Sequence, residues 1–205
     1  WDPNMSLTVF LAVIGAAFLH ALWNALIRAA SSKQAVMLVM TVLQGGLGCI
    51  LASTQPLPSS AVWLWLLASG FVHMAYKVFL TFAYEHGNLS NVYPIARGTA
   101  PLIVLIVSAL WLDDEINTTQ TIGILILGTG LLLMGRGAFQ SGEARELIPF
   151  ALCAAIATAA YSVIDGVGAR LSGNAIQFVA WVFFLDAVFF VPTLAFLRGR
   201  KALIV

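Results

Sequence analysis

AVWLWLLASGFVHMAYKVFLTFAYEHG (61–87) and NLSNVYPIARGTAPLIVLIVSALWL (88–112) decide how this chain is read. They are two long apolar runs joined by a short polar turn, and they carry His73, His86, Lys77 and Arg97. A charged side chain at the centre of a bilayer costs about 2.5–3.5 kcal/mol on insertion scales, so it faces a cavity or a partner rather than lipid. In the first run His73, Tyr76, Lys77, Leu80 and Tyr84 recur at three- and four-residue steps, which is one face of a helix. In the second, Asn91, Pro94, Arg97 and Pro101 form a similar stripe. Two such helices are expected to line a solute pathway through a polytopic membrane protein.

Composition supports that setting. Hydrophobic residues make up 60% of the 205 and charged residues only 9%, against about 25% charged in an average soluble domain. Mean hydropathy is +0.94. A bilayer uses that much apolar surface and a soluble core does not. The net charge of +1 comes with no basic patch to track a phosphate backbone, so nucleic acid is not an expected partner. Cys49 and Cys153 sit inside apolar runs without metal-ligand spacing and read as small core residues.

Outward from the central pair, seven spans are predicted: Leu7–Ile27, then about 35–52, 61–84, 92–112, 118–135, 147–167 and 175–197. Short polar connections separate them. The runs are too long and too continuous for the alternating ten-residue strands of a membrane barrel, so the fold class is all-α. Trp1 to Asn4 precede Met5-Ser6, which reads as a natural start, so the first four residues are expected to be an added extension. A signal peptide is excluded at the first span, which lacks a basic n-region and continues too far.

A faint internal repeat relates AAFLHALWN (16–24) to AAIATAAYS (154–162) at an offset of 138. His20 meets Thr158, Trp23 meets Tyr161, and Asn24 meets Ser162. Five spans is an odd number, so a second unit would insert upside down, as in the inverted repeats of secondary transporters.

The sequence resembles the EamA type of the drug/metabolite transporter superfamily. The carrying segments are LHALWNALIRAA, AYEHGNLSNVYPIARGTAPLIVLIVSALWLDDEI and TIGILILGTGLLLMG, with YPIARG the most specific. The resemblance implies ten spans in two inverted five-helix repeats around a central cavity. Residues 5–138 would be the first repeat and 139–205 the opening two helices of the second, the last three lying beyond this sequence. It further implies a secondary transporter in a bacterial inner membrane, with lipid around it, a small-molecule substrate, a coupling proton or ion, a homodimer as one possible assembly, and no cofactor.

Arg97 is the leading candidate for substrate contact, because Pro101 removes the amide that would bond its carbonyl. The competing role is a cation snorkelling to the headgroups. Lys77 lies sixteen residues into its span, too deep for easy snorkelling, with an ion pair to Glu85 or Asp165 as its structural alternative. His73 and Tyr76 share its helix, and Tyr93 opens YPIARG. His20, Trp23 and Asn24 share a face of the first span. Thr158, Tyr161, Ser162 and Asp165 form the equivalent stripe in the sixth, whereas Asp186 falls off the Gln177–Trp181 face and reads as a helix contact.

Gly123 with Gly130, and Gly128 with Gly135, are spaced for close helix approach. No nucleotide loop, HExxH, CxxC or GxSxG occurs, so nothing supports an enzyme. The expected function is secondary transport of a small polar metabolite, anionic or zwitterionic, by alternating access. The rival functions are a membrane enzyme acting on lipid-linked substrates and a non-transporting interaction subunit. Seven Lys and Arg residues fall on one side of the membrane and Arg170 alone on the other, which puts the amino terminus outside. Family resemblance implies the reverse.

Overall fold

A computed structural model describes residues 7–30, 32–86, 89–111, 117–134, 136 and 144–198. Among them are seven long helices and no strand: α1 (Leu7–Ala29), α2 (Lys33–Ser53), α3 (Ser60–His86), α4 (Leu89–Trp111), α5 (Thr118–Met134), α6 (Ala144–Ser172) and α7 (Ala175–Arg198). Each coincides with one predicted span. Without water in the bilayer, every backbone N–H and C=O must be satisfied within its own segment, so a continuous apolar run has little choice but helix. Four of the described helices are long and apolar enough to cross a membrane, Lys33–Ser53, Ser60–Glu85, Leu147–Ser172 and Ala175–Leu197. Phe10–Leu19, Pro94–Ala109 and Thr118–Met134 are shorter apolar stretches. The protein is an all-helical polytopic membrane protein.

Local signals set the helix ends. Ser32 caps α2 by accepting from the Ala35 amide at 3.2 Å. Asn117 and Gln120 exchange reciprocal side-chain bonds of 2.9 and 3.0 Å with each other's amides at the start of α5. Gly173 ends α6 at φ 65, a left-handed conformation that glycine adopts without a Cβ penalty. Asn174 then caps α7, accepting from the Gln177 amide at 3.0 Å.

The helices do not pack in chain order. The most extensive contacts pair α3 with α6 and α2 with α7, followed by α4 with α6, α3 with α7, and α4 with α5. Helix α3 therefore sits at the centre, and α1 rests on α2 alone among the substantial contacts. The main core joins Met37 and Leu38 of α2, Met74 and Leu80 of α3, Ile95 and Ala96 of α4, Ala151 and Ala154 of α6, and Phe190 and Leu194 of α7.

Two seams of close approach fix these registers. A Cβ on Gly48 would lie 2.6 Å from the Ala180 carbonyl oxygen, so α2 and α7 touch backbone to backbone there. A Cβ on Gly70 would lie 2.8 Å from Cβ of Leu185, which holds α3 equally close to α7. The glycines of α5 depart from expectation. Gly128 is buried under Leu102, but Gly123 and Gly130 have nothing within 4 Å, because α5 packs on α4 along one narrow strip. Gly135 lies outside the described residues.

Candidate functional site

The polar residues inside the helices gather into two groups, both anchored on α3. His73 and Tyr76 lie on one side of it. His73 Nε2 is 2.9 Å from Asp165 Oδ2 of α6, and Ser69, one turn earlier on α3, donates its hydroxyl to Asp165 Oδ1. The His73 ring stacks on Tyr161 with centroids 4.0 Å apart, and Tyr76 meets Tyr161 edge-on at 5.6 Å. Arg97 reaches in from α4, donating Nη2 to the Tyr76 hydroxyl at 3.1 Å, with its guanidinium 5.6 Å from the Tyr76 ring centre. Serine, acid, histidine, two tyrosines and arginine thus form one connected run across α3, α4 and α6.

Beside this run lies a cavity of about 340 Å³ between α4, α5 and α6. Arg97, Ala100, Pro101 and Val104 line one wall, Ile124 another, and Thr158, Tyr161 and Ser162 the third. Thr158 and Ser162 donate their hydroxyls to the carbonyls of Ala154 and Thr158, at 2.9 and 2.8 Å. Their oxygens remain as acceptors at the wall, opposite the donor-only guanidinium. Larger recesses of about 380 and 420 Å³ lie near Trp181 and near Lys33–Glu85. Size does not decide between them. The cavity at Arg97 is the one that adjoins the polar run through the membrane helices.

The second group is sealed. Lys77, one turn beyond His73, points toward α2 and α7, where its ammonium pairs with Asp186. It also donates to Thr41 Oγ1 at 3.0 Å and Gln44 Oε1 at 3.3 Å. Side-chain exposure is 6% for Lys77 and 0% for Asp186, against 18% for His73 and 32% for Asp165. The acid partner of Lys77 is therefore Asp186, in place of Glu85 or Asp165. The cause is the Gly70 seam, which brings α7 against that face of α3. Asp186 makes a helix contact, as its position off the Gln177–Trp181 face suggested.

Of the ten candidate residues, the structure brings together Arg97, Tyr76, His73, Tyr161 and Asp165, and sets Lys77 apart. The side chains of His20, Trp23, Asn24 and Tyr93 lie outside the described residues. Sequence reasoning passed over Ser69, Thr41 and Gln44. Ser69 had a usable signal, since it stands four residues before His73 on the same face. Among the described residues no group of three or more His, Cys, Asp or Glu could hold a metal ion.

The model of the EamA-like transporter family matches residues 5–136. The chain belongs to the EamA-like transporter family. No curated protein and no solved structure matches it. In this EamA-like chain the match covers α1–α5, and so includes His73, Lys77 and Arg97. Tyr161, Asp165 and Asp186, the partners these residues meet, lie beyond it.

Proposed function

We propose that this EamA-like protein moves a small zwitterionic or anionic metabolite by alternating access through the cavity between α4, α5 and α6. One observation carries the reading: a guanidinium is linked through Tyr76, Tyr161 and His73 to a carboxylate, and both Arg97 and Tyr161 border the cavity. Arg97 would hold a carboxylate, phosphonate or phosphate, for which its planar fork suits bidentate contact. The Asp165–His73 pair would meet an amino group or carry the coupling proton, the carboxylate oxygens being the acceptors on that side. A membrane setting in a bacterial inner membrane is part of the same proposal.

An inverted repeat is proposed with it. The offset of 138 carries α2 onto the region of α7, and these two helices pack side by side. Paired equivalents beside a pseudo-two-fold axis are what an inverted repeat requires.

The test is uptake into proteoliposomes from a metabolite panel in which each zwitterion is matched by analogues lacking the anionic or the amino group. Uptake that falls when the anionic group is removed supports the assignment of Arg97. Turnover of a lipid headgroup without uptake would replace transport by lipid chemistry.

A further inference from the structure

Lys77 is the deep cation that the proposed cavity does not use. Its Nζ lies where α2, α3 and α7 meet, and its three N–H donors have three oxygen acceptors: the Asp186 carboxylate, Thr41 Oγ1 at 3.0 Å and Gln44 Oε1 at 3.3 Å. The Phe190 ring centre lies 5.9 Å away on a further side. The hydroxyl proton of Thr41 is committed to the Met37 carbonyl at 2.7 Å, so this oxygen faces the ammonium as an acceptor. Carboxylate, hydroxyl, amide oxygen and π-face make a donor set for a small cation, with no competing donor among them.

A second observation points the same way. Asp186 is fully buried, and its Oδ1 has no hydrogen-bond partner among the described residues. The cage therefore holds more acceptor capacity than the lysine consumes. A buried carboxylate oxygen without a donor is costly, and a cation beside it is what offsets that cost.

We infer that the junction of α2, α3 and α7 is a monovalent-cation site that the chain fills with its own side chain. Lys77 is the tethered cation, and with it in place the junction needs no ion from solution. An ordinary buried ion pair differs in one respect: once its lysine is gone, no free cation takes the vacancy.

Lys77→Ala provides the test, because it removes Cγ through Nζ, the equivalent of n-propylammonium. The full chain is purified, and thermal unfolding is followed at constant ionic strength in chloride salts of N-methylglucamine, sodium, ammonium and propylammonium. Wild type should melt at one temperature in all four. Lys77→Ala should melt roughly 6–20 °C lower in N-methylglucamine, the loss expected for one broken buried pair in a chain of this size. Propylammonium should restore most of that loss saturably, with ammonium and sodium restoring less. Lys77→Ala/Asp186→Ala should ignore all four salts, because the carboxylate is gone. A Lys77→Ala protein indifferent to the cation overturns the inference, as does a double variant that responds equally. Failure to recover Lys77→Ala even when it is produced and purified in propylammonium also overturns it.

Discussion

A lysine–aspartate pair and a histidine–aspartate pair stand one turn apart on α3 and differ in almost every physical respect. Lys77–Asp186 is sealed between helices, whereas His73–Asp165 is part-exposed and runs through aromatic rings to Arg97 beside a cavity. Depth in the span suggested one role for both. The packing separates them: α7 covers the Lys77 face of α3, and α6 meets the His73 face next to the gap between α4 and α5. A charge inside a membrane helix is thus a reason to look for a partner. Solvent access to that partner then distinguishes a strut from a site.

The largest expected effect is on the strut. Asp186→Ala leaves a buried ammonium without its carboxylate and should cost about 3–5 kcal/mol, a fall of roughly 6–20 °C in thermal unfolding for a chain this long. Asp165→Asn, read the same way, should move the melting temperature by only a few degrees while reducing uptake. Equal destabilisation by the two changes would erase the contrast.

Next comes the cavity wall. Arg97→Lys keeps the charge but loses the planar fork, and one lost charge-assisted bond is worth about 1.5–3 kcal/mol, a ten- to hundredfold fall in affinity for an anionic substrate. Ligand-dependent thermal shift on purified protein measures it, with the unliganded melting temperature expected to stay close to wild type. Unchanged affinity would return Arg97 to a snorkelling role.

Smaller again is Ser69→Ala, which removes the hydroxyl that orients Asp165. The loss should be about 1 kcal/mol, seen as roughly fivefold weaker uptake at low substrate with folding retained. The smallest effect belongs to α5. Gly130→Ala meets nothing within 4 Å and should be neutral or stabilising by about 1 kcal/mol, whereas Gly48→Ala collides with the Ala180 carbonyl and should destabilise by about 1–3 kcal/mol.

These contrasts also mark what was legible in the sequence. The seven helices were, because a bilayer leaves a continuous apolar run only the helix, although among the described residues only four of them are long and apolar enough to cross a membrane. So were the steps that set Tyr76 beside His73 and Asp165 beside Tyr161, but the same stripe put Lys77 on the His73 face, and the packing turns it to α2 and α7. The partner of Lys77 was not: Asp186 is 109 residues away, and their meeting depends on how closely Gly70 lets α7 approach. The α5 glycines misled for the same reason, as spacing shows which residues share a face but not whether another helix covers it. Among the described glycines of α5, only Gly128 has such a cover.

The central claim is that the sealed pair lies outside the path of the solute while the open run handles it. Its most direct test is Lys77→Met/Asp186→Leu, measured for melting temperature and for uptake in the same proteoliposome preparation. Replacing a buried ion pair by apolar residues of similar volume is often neutral, or stabilising by about 1–4 kcal/mol. The melting temperature should therefore hold or rise, and uptake should persist within a few fold of wild type. A double variant that is fully folded and has lost uptake would contradict the account and place Lys77 in the path of the substrate.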